Sequence, residues 1–96
     1  MIEAHVYRFR LYVAGDAQNS VEALANLREL CEHHLAKRHA IEVVDVFMQP
    51  KRALADGIFM TPSLVKLGPG PVRRIVGTLA ATPTVLQALD LPANAP

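Results

Sequence analysis

Four side chains in one short stretch are of the types that hold metals or do thiol chemistry: Cys31, His33, His34 and His39. Cys31 and His34 stand three apart, so on a helix they share a face, a spacing that suits a soft metal ion. A tetrahedral site needs a second cluster to close it, and none follows in the sequence. Cys31 is the only cysteine in 96 residues. An internal disulfide and a Cys-x-x-Cys redox pair are therefore both excluded. A reactive thiol also belongs at a helix N-terminus, where the dipole lowers its pKa. The loop that would supply it, Gly15 to Ser20, holds no sulfur. Ser20 is read there as a helix-cap residue rather than a glutathione-binding hydroxyl. Gly68-Pro69-Gly70-Pro71 is glycine-rich but lacks the Gly-Lys-Ser/Thr ending of a phosphate loop. No catalytic residue, metal or cofactor is expected.

Two features remain that suit protein contacts. Arg73 and Arg74 could meet an anion or a carboxylate, as a minor contribution. Lys51, Arg52, Ile58, Phe59, Met60 and Lys66 flank the dipeptide Thr61-Pro62. An apolar cluster rimmed by cations is the composition of a protein-binding face. The competing reading is that Ile58, Phe59 and Met60 are simply core.

The elements that must position these residues follow from pattern. The chain is 51% hydrophobic with a net charge of +1. That supports one globular domain over 1–96, with a core over 6–91 and a frayed tail over 92–96. Near-neutral charge gives no case for nucleic acid, and no apolar run approaches the ~20 residues of a membrane span. The charged N-terminus does not read as a signal peptide, and a cytoplasmic location is expected. Residues 6–13 alternate, with Tyr7, Phe9, Leu11 and Val13 on one face and Val6, Arg8, Arg10 and Tyr12 on the other, as a strand does. Asn19 and Glu22 form a capping box for a helix to about Lys37, with Val21, Leu24, Leu27, Leu30, Cys31 and Leu35 at helical spacing. Cys31 on that stripe reads as a small core residue. Residues 40–47 read as a second strand, parallel to the first. Pro50 opens a short helix that Gly57 ends. SLVKL and VRRIV make a hairpin across the Gly-Pro repeat. Thr82-Pro83 caps and opens a last helix. The order β-α-β-α-β-β-α is that of a thioredoxin-like α/β fold with a mixed four-stranded sheet.

LYVAG at 11–15, NSVEAL at 19–24, VVDVF at 43–47, TPSLVKL at 61–67, PVRRIVG at 71–77 and LDL at 89–91 resemble the KaiB family in order and spacing. The resemblance covers residues 7–91. It implies a non-enzymatic regulator that binds the ring-shaped ATPase KaiC, engages KaiA, and competes with a histidine kinase carrying a similar domain. It also implies self-association and two folds. One is the thioredoxin-like chain; the other is a tetramer of order β-α-β-β-α-α-β. The family's KaiC-binding face maps onto Phe47, Gln49, Lys51, Arg52, Ile58, Met60, Thr61, Ser63 and Lys66. The exposed edge of the second strand, Ala40, Glu42 and Val44, is where another protein would add a strand. Positions expected to bear on the fold switch are Pro62, Pro69, Pro71, Ala88 and Asp90, and Thr61–Pro62 is a candidate cis bond. A stress-response adaptor with a different partner fits the same residues.

The sequence departs from the family pattern at several positions. Gly70 stands within the usual run of prolines, Thr78 replaces an Asp, and Met60 and Ser63 vary the Thr-Pro string. Ala88 stands where clock members carry Gly, and the acidic tail is absent. Ala favours helix over Gly by about 0.5–1 kcal/mol. With Thr82-Pro83, it is expected to hold the C-terminal segment in the thioredoxin-like form.

Overall fold

The computed structural model describes residues 6–92. The expected tail therefore falls outside the described residues except for Pro92, and the N-terminal five residues lie outside them too. The elements are β1 (Tyr7–Val13), α1 (Gln18–His34), β2 (His39–Asp45), α2 (Pro50–Ala55), β3 (Ser63–Gly68), β4 (Arg73–Val76) and α3 (Thr82–Ala88). The thioredoxin-like order is thus present, and residues 82–88 are helical rather than extended.

The sheet runs β2-β1-β3-β4, with β1 parallel to β2 and antiparallel to β3. Strand alternation sends neighbouring side chains to opposite faces. On one face Phe9, Leu11, Val13 and Leu64 pack against Ala23, Leu27, Leu30, Cys31 and Leu35 of α1 and its end, and against Val85, Leu86 and Leu89 of the C-terminal segment. On the other face Tyr12, Val44 and Val65 pack against Ala53 of α2. Tyr12 is 0% exposed, so half of the mixed face of β1 is covered by α2. No described helix is long and apolar enough to cross a membrane.

Several local expectations change. Helix α1 begins at Gln18 with Ala17 at the cap position, and no side chain caps it. Asn19 is inside the helix, and Glu22 instead accepts from Gln18 Nε2 at 3.2 Å. Ser20 is buried, and its hydroxyl accepts the Ala14 N–H at 3.0 Å, tying the loop back to the helix rather than capping it. Val21 is 55% exposed and does not belong to the apolar stripe. At α3 the cap position is Ala81, one residue before Thr82. Strand β2 ends at Asp45, because the Asp45 carboxylate turns back to accept the Phe47 N–H at 2.9 Å. This is the local side-chain turn that Asp favours. The Thr61–Pro62 and Gly68–Pro69 bonds are cis.

Helix α3 closes with a Schellman arrangement. Leu91 N–H bonds Leu86 O at 2.8 Å and Asp90 N–H bonds Gln87 O at 3.2 Å. Asp90 takes φ 56 there, a left-handed conformation that favours glycine. Asp90→Gly is expected to stabilise the chain by about 0.5–1 kcal/mol, part of the left-handed cost being offset by extra freedom in the unfolded chain. A thermal melt that moved up by roughly 2–6 °C would agree; an unchanged or lower Tm would refute it.

Candidate partner-binding face

The end of α2 builds this region. Ile58 N–H reaches Ala53 O at 2.8 Å and Gly57 N–H reaches Leu54 O at 3.0 Å, with Gly57 at φ 68. This is the same Schellman closure, here with the glycine the conformation prefers. Its consequence is directional. Ile58 turns inward onto the small core with Ala53, while Phe59 and Met60 are left outside, 86% and 66% exposed. Asp56, at the cap position, points at the sheet.

Asp56 Oδ2 accepts from the buried Tyr12 hydroxyl and from Arg10 Nη1, the latter at 3.0 Å. Arg10 Nε donates to Glu42 Oε1 at 2.9 Å. Glu42 also receives Arg52 as a two-pronged pair, at 2.8 Å and 3.0 Å. Five side chains thus tie β1, β2 and α2 together. The charges shape one another. The Arg52 and then the Arg10 guanidinium hold the Glu42 carboxyl down to about 2. Hydrogen bonding from Tyr12, followed by Arg10, lowers Asp56. Burial raises Tyr12, and the Glu42 hydrogen bond raises Arg10 and Arg52.

Both carboxylates are depressed in the folded chain, so their stabilisation is complete above the ordinary carboxylate range. It is lost as pH falls through the folded values. Unfolding stability is therefore expected to drop from about pH 5 toward pH 2, the interval between the usual carboxylate pKa and that of Glu42. In Glu42→Gln the drop should be shallower, because one linked proton is removed. Urea midpoints measured across this range test it; parallel curves for the two chains would contradict the assignment.

The structure sorts the expected contact residues into three groups. Phe47, Gln49, Lys51, Met60, Ala40 and Glu42 are exposed, and Arg52, Ile58 and Thr61 are half-buried. Val44, Ser63 and Lys66 are buried in this fold. Val44 is 0% exposed because α2 covers that side of β2. Ser63 is held inward by a hydroxyl bond to Met60 O. Lys66 is 2% exposed on β3, directly opposite Phe9. Glu42 and Arg52 are exposed in part but engaged with each other. The remaining proline and C-terminal positions divide similarly: Pro62 is buried, while Pro71, Ala88 and Asp90 are exposed and Pro69 is half-buried.

Several exposed apolar residues lie outside the contact set that the family resemblance implies. Phe59, Met48, Leu54 and Val76 are 86%, 78%, 68% and 53% exposed. They join Phe47 and Met60 around α2 and the Thr-Pro loop. Phe47 lies over Gly15, where a β-carbon would sit 3.6 Å from its ring. Asp45, unremarked in sequence, fixes this corner by accepting both Phe47 N–H and Gly15 N–H. For Met48 and Phe59 the sequence signal is two apolar pairs beside prolines, Phe47-Met48 and Phe59-Met60, which read equally well as core.

The ligand-type residues do not assemble. Among the described residues no group of three or more His, Cys, Asp or Glu side chains could hold a metal. Cys31 is 0% exposed and its thiol is pushed up to about 12, by burial first and Glu32 second. His39 Nδ1 lies 2.8 Å from Leu35 O, serving the helix end instead.

A family model described as the KaiB domain matches residues 10–91. A circadian clock oscillator protein KaiB from Prochlorococcus marinus subsp. pastoris is 44% identical over 91 residues, covering 95% of this chain and 85% of the relative. Among solved structures, the N-terminal domain of Synechococcus elongatus SasA aligns at TM-score 0.66 and 22% identity, over 99% of this chain and 93% of that one. Mitochondrial thioredoxin 3 from Saccharomyces cerevisiae aligns at TM-score 0.71 and 17% identity, over 91% and 80%. At those identities the two structures speak for the fold, which is thioredoxin-like.

Proposed function

The chain belongs to the KaiB family, and from that premise we propose that it is a non-enzymatic, clock-type regulator that docks on a KaiC-type ring ATPase. The docking face runs from Phe47 over α2 to Met60 and Thr61. The observation that carries this reading is the exposure of Phe47, Met48, Leu54, Phe59 and Met60, all within α2 or the segments flanking it. Apolar side chains this large and this exposed in a cluster mark an interaction site rather than a solvated surface. Lys51 at the start of α2 supplies a charged rim. The buried, weakly acidic Cys31 thiol supports a binding role over a redox one.

Secondary parts of the proposal follow from the same membership. The β2 edge, through Ala40 and Glu42, would accept a strand from a KaiA-like partner. A histidine kinase with a similar domain would compete for the ring. The chain acts in the cytoplasm as one domain, and exchanges between this fold and a self-associated form. Size-exclusion chromatography with light scattering, with and without the ring and ATP, tests the central claim. Co-migration with the ring supports it. A chain that never moves with the ring refutes it and favours the stress-adaptor reading.

A further inference from the structure

A hollow of about 220 Å³ opens beside the Thr-Pro loop, walled by Ile58, Phe59, Met60, Val65 and Val76, with Arg74 at its rim. Apart from Ser63 and Arg74 its walls are apolar and suit a large aliphatic side chain. Arg74 is exposed and lies near Gly57, its Nη1 3.6 Å from where a β-carbon there would stand. The Asp56 carboxylate feels the Arg74 charge but already accepts Tyr12 and Arg10. Among the described residues Arg74 makes no ion pair within 4.0 Å. Val76 and Arg74 are two apart on β4, so they share a face. Among the described residues β4 pairs only with β3, and its other side is a free sheet edge.

We propose that this hollow is an anchor subsite for an extended, acidic segment of the partner. One aliphatic side chain fills the hollow, and a carboxylate two residues away pairs with Arg74. The spacing follows from strand geometry: residues at i and i+2 of an extended chain face the same way, matching Val76 and Arg74. The free β4 edge can hydrogen-bond the segment's backbone, the arrangement of strand addition. The guanidinium fork suits a carboxylate in geometry as well as charge. The partner's identity rests on the regulator reading above; the chemistry of the subsite does not.

The test has two arms. In the first, Arg74→Glu and Val76→Asp chains are titrated against the ring ATPase, with urea midpoints confirming that each still folds. Each variant is expected to bind roughly tenfold or more weakly, with Arg74→Lys recovering part of the loss. Unchanged ring binding by both folded variants overturns the subsite while leaving the regulator reading intact. The second arm needs no ring. A capped peptide containing Leu-Thr-Asp, and its Leu-Thr-Asn counterpart, are titrated at millimolar concentration against the labelled chain. Amide shifts are expected at 57–60 and 74–76, several-fold weaker with the Asn peptide and weakened further by salt. Absent shifts, or shifts identical for the two peptides, overturn the proposal even if the ring binds elsewhere. Shifts without any ring binding sustain the subsite and remove the ring as its partner.

Discussion

A chain carrying Phe59→Ala and Met60→Asp is expected to bind the ring ATPase at least about a hundredfold more weakly than the parent, while unfolding at the same urea concentration. The first half follows from how binding energy concentrates. A buried apolar anchor typically loses about 2 kcal/mol or more on truncation, and each 1.4 kcal/mol is a factor of ten. The second half follows from exposure. Phe59 and Met60 are 86% and 66% exposed, so the folded chain draws little stability from them. Val21→Asp serves as the control, because Val21 is 55% exposed but sits on α1, across the sheet from α2. Isothermal titration with the ring reads all three. Parent-like affinity in the double variant would remove this face from the docking surface.

Asp56→Ala is expected to be the most damaging surface substitution for stability, at about 1.5–3 kcal/mol, the range for a hydrogen bond to a charged group whose partner is left buried. The Tyr12 hydroxyl that Asp56 serves belongs to a side chain with 0% exposure. Without Asp56 its remaining partner is Arg52 O at 3.5 Å, the limit of a useful bond. Arg10 also loses one of its two carboxylates. Tyr12→Phe removes the hydroxyl but leaves the Asp56–Arg10 pair, so it should cost less. The two substitutions should not add: once Tyr12 is Phe, losing Asp56 leaves no buried hydroxyl behind. Urea unfolding of the four chains in the cycle tests this; strict additivity would mean that Tyr12 and Asp56 are not coupled.

The course of the chain was legible because its elements carry strong local signals. The alternation over Tyr7 to Val13 and the helical spacing from Leu24 to Leu35 repeat long enough to be unambiguous. Pro50 and Gly57 punctuate α2 by fixing φ and allowing positive φ respectively. The site was less legible because exposure is a tertiary property. Lys66 and Ser63 are polar residues in a strand that the sheet and its helices cover on both sides, so polarity pointed outward where packing pointed inward. Val44 lies on an edge strand, yet α2 folds over it. Phe59 and Met60 read in the sequence equally well as a binding face or as core. Only the turn at Gly57, which sends Ile58 in, leaves them out. The helix starts were misplaced for a simpler reason: Ala17 and Ala81 occupy cap positions without a capping side chain.

The two faces of the sheet are unequal in a way that bears on motion. One is sealed by two helices over a broad aliphatic core. The other is covered by the six residues of α2, with Ala53 as its buried residue and an ion-paired fringe in place of further apolar area. Local opening costs least where buried apolar area is smallest. Amide protons of α2 should therefore exchange with solvent through partial detachment, long before those of β1 or α1 are released. A partner that seats on Phe59 and Met60 would grip the C-terminal end of that loose lid. Part of its binding energy would then go into holding α2 closed, and slowed exchange in α2 would register the partner's arrival at residues it never touches.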